Sequence, residues 1–282
     1  MNVGQNVFGR LSAFEGNVGF YFKDLTDEET LEINGGRIFS AASIIKIPLT
    51  LKVASMVLDG TYRMTDKIAI KDSNRTGGTG VIQSLNKEYV PTVAELILLA
   101  LSVSDNIATN ELVDLAGGFD EINAYCKKLG LTQTTMQRKM MDMEARKQGL
   151  DNWASAAEIG MLLEKICNAV YSDAPEKNAV LPVFKGMVMQ QCRSKIPAKV
   201  PAADFYDVME TFMPAGREML IANKTGDLWT TQHDAGICIL PDGQKYILVI
   251  FTDGLKYAAE GVELIADLSQ LVYRYMAAKY NL

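Results

Sequence analysis

Ala42-Ser43-Ile44-Ile45-Lys46-Ile47-Pro48 places a serine three positions before a lysine at the head of an apolar run. On a helix, residues i and i+3 are neighbours on one surface, so the Ser43 hydroxyl and the Lys46 amine come within hydrogen-bond reach, a nucleophile beside a base. Alone the pair is weak. Ser-x-x-Lys arises by chance about once in a chain of this length and composition, and by itself it reads as a solvated helix start.

Working outward, residues 44–58 are almost continuously apolar, which predicts a helix buried on most sides. Before it, residues 17–23 alternate with Val18, Phe20 and Phe22 on one face, and residues 30–33 continue after a charged turn at Asp27-Glu28-Glu29, the pattern of an antiparallel hairpin. After it, residues 71–80 form a loop carrying Gly77, Gly78 and Gly80. Thr92 and Glu95 make a capping box that opens a second helix, which breaks near 102–105. Helices are predicted at 108–115, 120–129, 155–170 and 178–191, with a long polar surface loop over 131–153. The period then changes: residues 219–224, 232–240 and 246–252 read as strands, the latter two joined at Pro241-Asp242-Gly243-Gln244, and 257–280 closes the chain as a long helix.

Strands at both ends with helices between them predict an α+β fold: one antiparallel sheet built from both chain ends with flanking helices, and an all-helical insertion. The predicted division within one 1–282 unit is an α/β subdomain of 1–41 plus 213–282 and an all-α subdomain of 42–212.

Composition excludes several classes. The 282 residues are 48% hydrophobic and 22% charged, ordinary for a globular protein, with a formal net charge of −6 and no basic block. A nucleic-acid partner is therefore not expected, since phosphate binding needs a concentrated basic surface. Cys126, Cys167, Cys192 and Cys238 are widely spaced without a Cys-x-x-Cys and read as reduced core thiols, so neither a metal nor a disulfide framework is expected. The N-terminal residues lack a basic and apolar leader pattern, and no run approaches membrane-spanning length. The expected location is cytoplasmic; an exported chain whose signal had been removed would read the same.

Two further polar clusters change the weight on Ser43. Ser104-Asp105-Asn106 stands at the break between two helices, and Lys224-Thr225-Gly226 at the end of a strand. With Ser43-Ile44-Ile45-Lys46 they resemble, in order, the three motifs of the penicillin-recognising serine enzymes, the class A β-lactamases and related penicillin-binding proteins. The likeness covers nearly the whole chain. A serine hydroxyl is a poor nucleophile without a base, and a lysine serves only if burial or nearby positive charge, such as that of Lys224, keeps part of it neutral. The resemblance implies that Ser43 is acylated, Lys46 activates it and Ser104 relays a proton to the leaving nitrogen. It further implies that Asn106 binds a substrate amide, Lys224 and Thr225 a substrate carboxylate, and that Gly226 lets the substrate lie close to the strand. The oxyanion would sit between the backbone N–H groups of Ser43 and Asp227. No cofactor and no metal are implied.

Two residues depart from the family pattern. Asp227 stands where a small neutral residue is usual, and an anion there repels a substrate carboxylate unless it points away or pairs with Lys224. In the long loop Met140 takes the place, two residues after Arg138, of the glutamate that positions the deacylating water, and methionine cannot activate water. Glu144 is the possible deacylation base, with Asp142 between, against the alternative of a solvated carboxylate. Arg138 and Asp151 are expected to pair across the ends of that loop. His233, the one histidine, has no Gly-x-Ser-x-Gly elbow with it and reads as structural. Met136, Met140, Met141 and Met143 read as a packed loop underside, and Trp153 and Trp229 as packing residues.

The expected activity is amide or ester acyl transfer on a small-molecule substrate, a β-lactam, peptide or ester, with deacylation impaired. The alternatives are a small-molecule esterase or peptidase on the same fold and a non-hydrolytic sensor of β-lactams or peptidoglycan fragments.

Overall fold

A computed structural model describes residues 3–204, 212–214 and 216–282. In chain order it forms α1 (Val3–Leu11), β1 (Asn17–Asp24), β2 (Thr30–Ile33), β3 (Ile38–Ser40), α2 (Lys46–Leu58), α3 (Val93–Ser102), α4 (Asn106–Leu115), α5 (Phe119–Lys128) and α6 (Met143–Lys147). There follow β4 (Trp153–Ser155), α7 (Ala156–Val170), α8 (Lys177–Val188), β5 (Leu220–Leu228), β6 (Thr231–Ile239), β7 (Lys245–Asp253) and α9 (Ala258–Tyr280).

Two compact units divide the chain. The sheet unit is Met1–Phe39, Ser155–Glu164 and Cys192–Leu282; the helical unit is Ser40–Ala154 and Lys165–Gln191. The division falls at other points than 41/42 and 212/213, and the expected end of the insertion at 212 borders residues 205–211, which lie outside the described residues. Side-chain packing explains the difference. A Cβ on Gly160 would come within 2.3 Å of the Tyr21 ring, so the start of α7 lies directly on β1. The backbone N–H of Ile196 donates to Asp234 on β6 at 3.0 Å, which ties the segment after α8 to the sheet.

In the sheet unit the five strands run in the order β2-β1-β7-β6-β5, each pair antiparallel, so the two chain ends build one sheet as their alternation predicts. Val18, Phe20 and Phe22 turn to a core shared with Leu264, Leu268 and Val272 of α9. Tyr21 on the opposite face is also buried, so β1 is covered on both sides. The sequence gives little sign of α1, a short helix containing Gly4 and Gly9; Val3 and Val7, four residues apart, are buried in the same core and supply what propensity lacks. Gly243, at φ +94, closes the β6–β7 turn as its Pro-Asp-Gly sequence predicts.

In the helical unit α2 buries Lys46 through Leu51 without a break, which matches its apolar density. Pro48 lies in the first turn, where its missing N–H costs no intrahelical bond. The capping box opens α3: Thr92 Oγ1 accepts the Glu95 N–H at 3.2 Å, and Glu95 Oε2 accepts the Thr92 N–H at 2.6 Å. α4 begins two residues before the predicted 108 because Asp105 caps it, accepting the Ala108 N–H at 3.0 Å.

The 131–153 loop is less superficial than its polarity suggests. Leu131, Met136, Arg138, Met140, Asp151 and Asn152 are buried, and α6 adds a short helix capped by Asp142. Of its methionines, Met141 and Met143 are exposed. Cys126, Cys167 and Cys238 are buried thiols, whereas Cys192 is only half-buried. Trp229 is 94% exposed, so it is not a packing residue. No helix among the described residues is long and apolar enough to cross a membrane.

Candidate active site

The helical unit carries one set of predicted site residues. Ser43 is half-buried in a tight 3-10 turn, Ala42–Ile45, just before α2, and follows Ala42 held at φ +47. Lys46, one turn on, is completely buried. Its Nζ donates to Ser104 Oγ at 3.1 Å, to the Ser104 carbonyl at 2.7 Å and to Asn106 Oδ1 at 3.0 Å. Three residues from two of the sequence motifs therefore meet around one lysine nitrogen.

A strained turn sustains that convergence. Ser104 has φ +55, a left-handed conformation costing a non-glycine residue about 1–2 kcal/mol, and it directs both its carbonyl and its hydroxyl to Lys46. Asp105 fixes the turn from beneath: besides capping α4, its Oδ2 accepts the N–H groups of Val81 and Ile82 at 2.7 and 2.9 Å. Thr79 Oγ1 donates to the Ser104 carbonyl at 2.7 Å, and Asn106 Nδ2 donates to the Gly77 carbonyl at 3.1 Å. The glycines in that loop are required by contact. A Cβ on Gly80, which has φ +114, would lie 2.3 Å from the Asp105 carboxylate, and one on Gly78 would lie 2.5 Å from Asn106 Nδ2.

The long loop is clamped at both ends. Arg138 donates to Asp151 Oδ1 from Nε at 2.8 Å and from its terminal nitrogen at 2.7 Å, the pair expected from sequence, and Ser40 Oγ donates to Asp151 Oδ2 at 2.7 Å. Burial alone would raise the Asp151 pKa, but the bonds from Ser40, the Asn152 backbone and Arg138 outweigh it and hold it below the ordinary value. Met140 is buried, and its backbone is gripped in both directions by Asn110: its N–H donates to Oδ1 at 2.8 Å, and its carbonyl accepts from Nδ2 at 3.4 Å. Glu144 is exposed on α6 and pairs with Lys147 at 3.3 Å, a solvated position.

The sheet unit carries the other set. Lys224 on the edge strand β5 is completely buried, and its Nζ donates to the Thr225 carbonyl at 2.8 Å. Burial pushes its pKa down to about 8; Asp227 opposes the shift and the positive Lys195 reinforces it. Gly226 pairs in register with His233, and Thr225 with Asp234. Asp227 neither stands alone nor pairs with Lys224: its carboxylate meets Lys195 Nζ at 2.8 Å. The same Nζ donates to the His233 carbonyl at 3.0 Å and lies 3.4 Å from the Gly226 carbonyl. Lys195 itself is buried, while the Asp227 side chain is 56% exposed.

His233 is structural, as its sequence context suggests. Its ring stacks on Phe251 with centroids 4.3 Å apart, and Nδ1 accepts the Thr252 N–H at 3.2 Å. Asp234 accepts from Asn223, Ile196 N–H and Ala235 N–H; burial pushes its pKa up to about 6 against the lowering by Lys195 and those bonds. Neither residue has the arrangement of a triad partner. Sequence reasoning missed Lys195, which no motif marks, and Asn110, whose only signal is that it lies one turn after Asn106 on the same helix face.

Comparison with known proteins identifies the family of the chain. The model of the β-lactamase enzyme family matches residues 4–276. A β-lactamase of Bacteroides uniformis is 24% identical over 267 residues, 88% of this chain and 82% of its own length. The β-lactamase VEB-1 of Pseudomonas aeruginosa is 23% identical over 95% of this chain and 88% of its own. Among solved structures, a variant of PBP-A in its acyl-enzyme complex with penicillin G superposes with a TM-score of 0.83 at 24% identity, covering 98% of this chain and 96% of that one. The three motifs, the five-stranded sheet made from both chain ends and the family match agree: this chain belongs to the β-lactamase enzyme family and is a serine hydrolase of the class A β-lactamase type.

Proposed function

We propose that β-lactams acylate Ser43 and that the acyl-enzyme is released slowly. The observation that carries this reading is the set of hydrogen bonds from Lys46 to Ser104 and Asn106. In the acylation step Ser43 Oγ bonds to the substrate carbonyl carbon and the amide C–N bond breaks. The hydroxyl proton passes to a neutral Lys46, and a proton reaches the leaving nitrogen through Ser104, whose hydroxyl lies 3.1 Å from Lys46 Nζ. Asn106 contacts a substrate amide, Lys224 and Thr225 hold a substrate carboxylate, and Gly226 leaves the strand open to the substrate. The N–H groups of Ser43 and Asp227 take the oxyanion.

Slow release rests on Met140. Asn110 fixes its backbone, and its side chain offers no group to activate water. Glu144 is too solvated, and too engaged with Lys147, to be the preferred substitute. The substrate class follows the named relatives and the penicillin G complex of the PBP-A variant. A chromogenic cephalosporin tests the reading: a burst of one equivalent followed by slow turnover is expected, with no burst in Ser43→Ala. The absence of any reaction would transfer the site to another amide or ester.

A second reading, an esterase or peptidase on the same machinery, is favoured by one feature: the exposed Asp227 carboxylate beside the residues proposed to take a substrate carboxylate. It requires p-nitrophenyl esters to turn over where cephalosporins do not. The four cysteines, none in a disulfide, suit a reducing compartment, and the location we propose is cytoplasmic.

A further inference from the structure

We propose that Lys195 is a positioning residue of the acyl-transfer site: by pairing with Asp227, it allows a carboxylate to follow Lys224-Thr225-Gly226 without repelling an anionic substrate. The inference deepens the proposed function and rests on it.

The geometry is well defined. Lys195 is buried to 1% of its side-chain surface, yet its Nζ emerges at the one exposed carboxylate of the β5 end, 2.8 Å from Asp227 Oδ1. Its remaining contacts are the His233 carbonyl at 3.0 Å and the Gly226 carbonyl at 3.4 Å, from residues paired across β5 and β6. One ammonium group thus pairs with Asp227 while the two backbone carbonyls hold it in place where the motif ends. The base of Lys195 is rigid, because the next residue, Ile196, donates to Asp234 at 3.0 Å and accepts from Ser269 at 2.8 Å. A lysine buried this deeply needs an anion; Asp227 is the carboxylate it contacts directly, and its charge also acts on the buried Asp234. The two residues therefore form a unit: removing only the lysine leaves Asp227 as an uncompensated negative charge beside Lys224, where it weakens the attraction for a substrate carboxylate.

The test compares a carboxylate-bearing chromogenic cephalosporin with the neutral p-nitrophenyl acetate, in the wild type, Lys195→Met, Lys195→Arg and Lys195→Met/Asp227→Asn, each checked for an unchanged melting profile. Lys195→Met is expected to raise KM for the cephalosporin about tenfold while kcat and the ester reaction change less than about twofold. Lys195→Arg should keep most of the affinity, and neutralising Asp227 in the double variant should restore it. Equal losses on both substrates, or no recovery in the double variant, would overturn the proposal and leave Lys195 as a fold residue. A wild type acylated by neither substrate would instead overturn the function beneath it, and the proposal with it.

Discussion

The Nζ of Lys46 lies 3.1 Å from the hydroxyl and 2.7 Å from the carbonyl of Ser104, so a single left-handed serine offers both of its oxygen atoms to one buried lysine. Replacing Ser104 by alanine removes the proposed proton path while keeping the carbonyl contact. Acylation by a cephalosporin should slow by about 10²–10⁴-fold, the usual contribution of a positioned acid or base, with the fold intact. Stopped-flow measurement of the burst rate checks it; a burst within threefold of wild type would remove Ser104 from the path.

Gly80 carries a second prediction. A methyl group there would overlap Asp105, which caps α4 and holds the Val81 and Ile82 N–H groups, and the backbone is at φ +114. Gly80→Ala should cost roughly 2–4 kcal/mol and lower the melting temperature by several degrees, with loss of acylation. An unchanged melting curve would show that the turn tolerates displacement.

Much of this was legible beforehand. The alternation in β1 and the turn at Gly243 announced the sheet, and the Thr92 and Glu95 box marked α3 to within a residue. Ser104 and Asn106 were readable as candidate site residues only through their resemblance, in order with Ser43-x-x-Lys46 and Lys224-Thr225-Gly226, to the family's three motifs, since serine and asparagine at a helix break are otherwise common caps. What stayed hidden depends on long-range contact. Lys195 looks like any surface lysine until the fold buries it beneath Asp227, and Gly78 and Gly80 look like loop filler until Asp105 and Asn106 close over them. α1 is formed by tertiary packing of Val3 and Val7 rather than by its own propensity.

The Arg138–Asp151 pair should tie stability to acid pH. Asp151 has a folded pKa below its ordinary value, so its contribution is present above the unfolded carboxylate value of about 3.9 and is lost as pH falls through the folded one. Asp151→Asn strands a buried guanidinium and should cost about 3–5 kcal/mol at neutral pH. Urea unfolding at pH 7 and pH 3 checks this: the variant's disadvantage should narrow at the lower pH, and an equal gap at both would refute the linkage.

Lys224, at about 8, predicts the pH dependence of binding. As a cation it attracts a substrate carboxylate, so KM for a cephalosporin should be flat below pH 8 and rise above it, while KM for a neutral ester stays flat. In the same range the unfolded lysine, near 10.4, binds more protons than the folded one, so stability should rise from about pH 8 to 10. A cephalosporin KM independent of pH from 7 to 10 would remove Lys224 from carboxylate binding.

Met140→Glu should restore a water-activating group at the backbone position that Asn110 holds. The lifetime of the acyl-enzyme is expected to fall at least about tenfold, partly offset by the cost of placing a carboxylate at a buried site. A lifetime equal to wild type would place the barrier to release elsewhere than in the missing carboxylate.

The most direct measurement is the intact mass of the protein followed over time after mixing with penicillin G and removing the excess. A single adduct with the mass of the whole penicillin, located at Ser43, persisting for minutes and absent in Ser43→Ala, is the expected result. Rapid hydrolysis of penicillin with no detectable adduct would contradict slow release, and an adduct that survives Ser43→Ala would contradict the nucleophile itself.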